Sequence, residues 1–151
     1  MIYLECNTDE ALVRAMGVHR NEIFHSGNKG NVCKNLAKKQ KSIGLVDEDP
    51  FSAQPSYIGK LKIESNKDDI KLLYDKNAQN NLIVLCPRLE DWILKAAKEA
   101  RVNVKDYSLP DDADEFHKII NTKLEKFVHL IEDIKKRSKK LKTLEKLIKS
   151  K

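Results

Sequence analysis

Ser42-Ile43-Gly44-Leu45-Val46-Asp47-Glu48-Asp49-Pro50 is the stretch on which the fold turns. Five apolar or small residues run straight into three acids and a proline. A short apolar run closed by turn residues predicts a buried strand over 42–46. The sequence before it has the same grammar. Ile2–Cys6 (IYLEC) is a first strand, and Asn7 or Thr8 is placed to cap a helix over Asp9–Met16, with Asp9 and Glu10 in its first turn and Gly17 just past its end. Glu22–His25 is a second strand. The turn Ser26–Gly30 then leads into a helix over Asn31–Gln40 with Val32 and Leu36 facing inward. Short strands alternating with helices of about ten residues predict βαβ units and a parallel sheet, the α/β class.

Beyond Pro50 the texture changes. Residues 51–69 read as a loop over the sheet with a short strand near Tyr57–Ile63. Ile70–Asp75 and Leu82–Cys86 flank a polar turn at 76–81 and predict a β-hairpin. Pro87 opens a helix over Arg88–Ala100, with Leu89, Trp92, Ile93 and Ala96 on one face. Leu109-Pro110-Asp111-Asp112 breaks the chain. Apolar residues from Phe116 to Ile134 and from Leu141 to Ile148 then predict two helices parted near Ser138, with one 35-residue helix as the alternative. The division expected is an α/β domain over 1–110 and a basic helical extension over 111–151.

With 151 residues, 40% hydrophobic and 34% charged, the chain can close one core. No apolar run approaches the roughly 20 residues of a spanning helix. The acid at Glu5 argues against a secretory leader. Cys6, Cys33 and Cys86 are odd in number and widely spaced, which disfavours disulfides and zinc and makes a reducing cytoplasm the default. All three read as inert core residues. The four histidines have no ligand spacing, and Gly27–Gly30 lacks the P-loop pattern. Trp92 reads as a core anchor. Of the net charge of +6, all lies in residues 114–151, which hold 12 of the 29 basic and 6 of the 23 acidic residues, leaving 17 of each before them. Such a concentration either suits a phosphate polyanion or is a solvated helix face.

The acids sit where an open parallel sheet binds ligands, outside the carboxyl ends of its strands. Glu5 ends the first strand, and Asp47 and Asp49 end the third. Two apart in extended chain, Asp47 and Asp49 are expected to point the same way, with Glu48 opposite. Carboxylates on adjacent strand ends suit Mg²⁺, which keeps several waters.

These residues resemble a family. Glu5-Cys6-Asn7-Thr8-Asp9 looks like the E-x-x-x-D signature that begins a Toprim domain, and Leu45-Val46-Asp47-Glu48-Asp49 looks like its DxD strand end. Ser26–Val32 sits where Toprim proteins of the OLD-nuclease group carry a Gly/Lys-rich turn, and Leu89–Leu94 is similar to an acidic helix-opening segment downstream in that group. The resemblance implies a Toprim-like sheet and Mg²⁺- or Mn²⁺-dependent cleavage of nucleic-acid phosphodiesters, DNA ahead of RNA. It implies Glu5 as the acid/base or metal-linked glutamate, Asp9, Asp47 and Asp49 as metal ligands or their orienters, and Glu90 at a second metal. Lys29 and the cluster Lys135, Lys136, Arg137, Lys139 and Lys140 would then hold backbone phosphate. The sequence departs from the pattern at Cys6, where the family has Gly, and carries no ATPase half. The alternative is therefore a catalytically silent Toprim-like module that binds nucleic acid, a separately encoded ATPase or a second copy of itself. A third reading is an unrelated phosphotransfer or nucleotide-binding α/β domain.

Overall fold

The computed structural model describes residues 1–150 and is an α/β protein built on one mixed, mostly parallel sheet. Its strands are β1 (Ile2–Leu4), β2 (Ile23–His25), β3 (Ile43–Asp47), β4 (Lys62–Lys67), β5 (Ile70–Asp75) and β6 (Asn80–Leu85), in the order β2-β1-β3-β6-β5-β4. The first four of that order run parallel, with Ile43 beside Ile2 and Asn81. The expected hairpin is there: β5 pairs antiparallel with β6 from Ile70–Leu85 to Asp75–Asn80. Buried along its whole length, β6 forms the sheet's centre.

One strand was not expected. Residues 62–67 form β4 at the sheet edge, paired with β5, where the sequence predicts loop and a strand near 57–63. The segment KIESNK has no apolar alternation and is mostly exposed. Its extended state comes from the ladder of β5 and from Asp68 and Asp69, whose φ of 56° and 57° make the left-handed two-residue turn that suits strand twist.

The helices are α1 (Asn7–Ala15), α2 (Lys29–Ala37), α3 (Leu89–Glu99), α4 (Ala113–Ile119), α5 (Leu124–Ile134) and α6 (Lys139–Lys149). Cys6, rather than Asn7 or Thr8, is the residue before α1, and the Asp9 carboxylate reaches back to accept its N–H at 3.2 Å. Gly17 closes that helix at φ 98°, as expected. Asn28 caps α2 by accepting from Asn31 N–H at 2.8 Å, so the helix starts two residues earlier than predicted. It lies so close to the sheet that a side chain on Gly44 would meet Leu36, Leu82 and Val32 at 2.7–3.0 Å. The C-terminal region holds three helices rather than two. The expected break at Ser138 is present, its hydroxyl accepting from Leu141 N–H, and a second break at 120–123 separates α4 from α5.

One face of the sheet carries α2 and the segment 57–61 over Tyr3, Val46, Leu82 and Val84. The other carries α1, α3, α5 and α6. There Phe116, Phe127, Ile131, Leu141, Leu144 and Ile148 share one core with Ile2, Leu4, Leu12, Ile83 and Trp92. The C-terminal extension is thus packed on the sheet. Burying a Leu or Ile side chain contributes roughly 1.5–3 kcal/mol, so these helices hold the sheet's apolar face out of water. Trp92 is fully buried, its indole N–H donating to Asp68 O at 3.0 Å. Cys33 is buried, whereas Cys6 is exposed at the start of α1, against the expectation for it.

Candidate functional site

The parallel strands β1 and β3 end side by side, and their ends open into a cleft of about 860 Å³. Glu5 follows β1, Asp47 ends β3 and Asp49 stands two residues on; all three line the cleft. Asp47 and Asp49 share the cleft and Glu48 lies apart, as expected, but not through strand alternation: β3 stops at Asp47 and Asp49 turns to φ 44°. Beyond Asp47 the chain stays beside the end of β6, where Glu48 N–H donates to Leu85 O at 2.8 Å and Asp49 N–H to Pro87 O at 2.9 Å. Glu48 leaves the acids and pairs with Lys71 at 2.6 Å.

Two further acids lie beneath this floor. Asp9 is 5% exposed, and its carboxylate faces the N–H and thiol of Cys6 at 3.2 and 3.6 Å. Glu90 is 4% exposed on the first turn of α3, and its Oε1 is 3.2 Å from His117 Nδ1. Neither lines the cleft, but their charges reach those that do. Asp47 is pushed up to about 8, first by burial and then by Asp9, Glu5 and Glu90, although its Oδ1 accepts Leu89 N–H at 3.1 Å. Burial and Glu5 push Asp9 up to about 7. Glu5 is raised by burial, held back by the Asp47 N–H and by Lys29. These acids are buried together with too little positive charge to balance them.

Lys29 is the cation nearest the floor. Burial lowers its pKa, opposed by Glu5, Cys33, Asp49 and Asp47. Its Nζ donates to Glu48 O at 2.7 Å and Gln54 Oε1 at 2.5 Å, which holds the amino group at the cleft. Lys34, Lys60, Arg88 and His117 complete a basic rim that sequence reasoning did not find. Arg88 is fixed by Asp91 at 2.8 Å and Asp114 at 3.0 Å. His117 arrives on α4, 27 residues after the glutamate it meets. His25, the last residue of β2, does not line the cleft and lies 3.4 Å from Glu10.

The basic cluster lies elsewhere. Helices α1 and α3 begin at the acids and run away from them. Lys135 Nζ donates to the carbonyl of Ala15, the last residue of α1, and Ser138 Oγ to Glu99, the last of α3. The turn joining α5 to α6 is therefore about 15 Å down the helix layer, at 1.5 Å per residue. Lys135 is also paired with Glu132 at 3.0 Å and Lys140 with Asp69 at 3.0 Å; Lys136, Arg137 and Lys139 face solvent. The structure keeps Lys135, Lys136, Arg137 and Lys139 apart from the acids, and Lys140 reaches to Asp69, whose carbonyl accepts Cys86 N–H beyond the end of β6, rather than to the cleft.

Among the described residues, no three His, Cys, Asp or Glu side chains stand close enough to enclose a metal ion outright. A hard divalent cation does not require that, since Mg²⁺ commonly takes one or two carboxylates and keeps its waters. The cleft's donors are carboxylate oxygens, the matching chemistry. Among the described residues no helix is long and apolar enough to cross a membrane.

The fold and the cleft define an α/β protein with a carboxylate-floored, cation-rimmed site at the carboxyl ends of parallel strands. No family model matches the chain, and neither the curated proteins nor the solved structures contain a significant match to it.

Proposed function

We propose that this protein is a Toprim-type phosphodiesterase that cleaves nucleic acid, DNA ahead of RNA, with Mg²⁺ or Mn²⁺. The observation that supports this reading is the meeting of Glu5, Asp47 and Asp49, from separate stretches of chain, in one cleft with Lys29. Asp47 and Asp49 would hold the cation, with Asp9 and Glu90 behind them setting the negative potential that attracts it. Bound there, Mg²⁺ supplies charge neutralisation at the phosphoryl oxygens. Lys29 and Arg88 bind and orient the phosphate against the floor. In the hydrolytic step water oxygen bonds to phosphorus and gives up a proton, while the bond from phosphorus to the leaving sugar oxygen breaks and that oxygen takes a proton up. Glu5 is the carboxyl at the cleft that manages this proton.

Calorimetric titration of Mg²⁺ and Mn²⁺ into the wild type and into Asp47→Ala/Asp49→Ala tests the reading, with the same samples assayed on plasmid DNA and a structured RNA. Binding and cleavage that both vanish in the double variant support it. No binding at millimolar metal refutes it.

A second reading is favoured by Cys6. Its side chain stands where the Toprim pattern has glycine, against Asp9. On that reading the protein is a silent module that binds nucleic acid, a separately encoded ATPase or its own copy. Metal binding by the wild type without cleavage is its signature.

A further inference from the structure

The turn that follows Asp49 is braced more heavily than a solvent loop needs, and the residue it holds up touches nothing. Ser52 N–H donates to Asp49 O at 3.1 Å, closing a four-residue turn with Pro50 and Phe51 at its centre. The Ser52 hydroxyl adds a second hydrogen bond to the same carbonyl at 2.8 Å. Gln54 Nε2 faces the carbonyls of Glu48, Asp49 and Ser52 at 3.3, 3.2 and 3.1 Å, and its Oε1 accepts from Lys29. Proline fixes one backbone angle at the turn's entrance. At the tip the Phe51 ring is fully exposed. The half-exposed Phe24, by contrast, rests on Tyr3 with ring centroids 5.6 Å apart.

A lone exposed apolar side chain on a loose loop calls for no explanation. Phe51 differs in two respects: its backbone is fixed in advance, and it is flanked in the chain by Asp49 and Ser52, which line a cleft rimmed by Lys29, Lys34, Lys60 and Arg88. We propose that Phe51 is a stacking platform for an unpaired base of a single-stranded nucleic acid whose phosphates lie along that basic rim.

The inference rests on the cleft's being a nucleic-acid site and names its substrate class. A cleft of about 860 Å³ is within the roughly 300–1,000 Å³ that accepts a small ligand. It takes a short stretch of one backbone, and a strand lying in it must turn its bases outward. Single-strand surfaces combine cations along the backbone with aromatic rings under the bases, because every base has a π-face whatever its sequence. Before binding, Phe51 presents its ring at little conformational cost, since the turn is already ordered.

The test uses the full chain with Phe51→Trp, whose introduced, exposed indole emits to the red of the fully buried Trp92. The probe is a nuclease-resistant phosphorothioate oligothymidylate, against a blunt duplex of equal length. The single strand quenches the red-shifted emission of the introduced indole and the duplex does not. Phe51→Ala and Phe51→Leu bind the single strand about tenfold more weakly, with an unchanged dependence on salt, because no counterion is released by stacking. Phe51→Trp binds as well as the wild type. Equal quenching by the duplex overturns the proposal. So does an unmoved signal from the introduced indole together with wild-type affinity in Phe51→Ala, while strand binding and cleavage by the wild type persist; that result leaves the cleft reading standing. A wild type that binds neither probe overturns both.

Discussion

The acids beneath the cleft and the lysines at the turn between α5 and α6 are both dense in charge, yet the fold treats them in opposite ways. Glu5, Asp9 and Asp47 are taken out of water, so burial first, and then neighbouring carboxylates, raise all three. The lysines remain at the surface, and two have ion-pair partners, Lys135 with Glu132 and Lys140 with Asp69, which Lys95 shares. Exposed pairs of this sort contribute about 1 kcal/mol or less, whereas unbalanced buried charge opposes folding. A fold tolerates such an arrangement where a ligand relieves it. The net charge of +6 therefore lies away from the cleft acids, and the electrically neutral portion of the chain supplies Glu5, Asp47, Asp49 and Lys29.

Substitution should separate the two regions sharply. On the proposed function, Asp47→Asn is expected to lower metal-dependent cleavage by about 10–100-fold. The triple change Lys136→Ala/Arg137→Ala/Lys139→Ala should alter it by less than about threefold, since those side chains face solvent far from the floor. Steady-state rates on one substrate compare them, and equal losses would erase the contrast.

Next in size is stability. Leu144→Ala, in the core under α6, is expected to cost about 2–5 kcal/mol in urea unfolding. Lys135→Ala, one side chain of a surface pair, should cost about 1 kcal/mol or less in the same experiment.

A smaller effect sharpens the electrostatic argument. Asp47 titrates near 8 when folded, against about 3.9 in an unfolded chain. The folded state thus binds more protons between those values. The stabilising contribution of the protonated carboxyl is complete below about pH 4 and is lost as pH rises through about 8. Asp47→Asn should therefore melt higher than the wild type at pH 8.5 by roughly 2–4 °C for each kcal/mol relieved, with little difference at pH 4. Added Mg²⁺ should raise the melting temperature of the wild type at pH 8.5 and leave Asp47→Asn nearly unmoved. Identical melting profiles at both pH values would remove the claim of buried, unbalanced charge.

The smallest effect is on salt dependence. Lys29→Ala should reduce the slope of log binding constant against log salt by about one phosphate contact, and Lys135→Ala should leave it unchanged.

What the sequence disclosed follows the same division. Strands β1, β3 and β6 were legible because each is an apolar run closed by turn residues, and burial on both faces demands such runs. The edge strand β4 was not, because five of its six residues face solvent and its geometry is imposed by β5 and the Asp68–Asp69 turn. Glu5 and Asp47 could be placed in one crevice from their positions at strand ends. Asp49 reaches the same crevice by a left-handed backbone step, which alternation along a strand does not describe. His117 gave no signal: it arrives because Phe116, beside it, is buried against Phe127 and turns α4 onto α3. The rim cations Lys34 and Lys60 come together only through the packing of α2 and the loop after β3.

The packing of the last helices on the sheet has a consequence for how the chain is made. Synthesis is vectorial, and segments fold as units when they emerge. A nascent chain that has reached the end of α3 has all six strands, yet Leu4, Leu12, Ile83 and Trp92 still lack the cover that Phe116, Phe127, Leu141 and Leu144 will bring. Ribosomal arrest or premature termination in that interval leaves that apolar face of the sheet and of α1 and α3 without its cover. His117 and the support for Arg88 arrive in the same late segment. Completion of the core and completion of the cleft are one event in the history of the molecule.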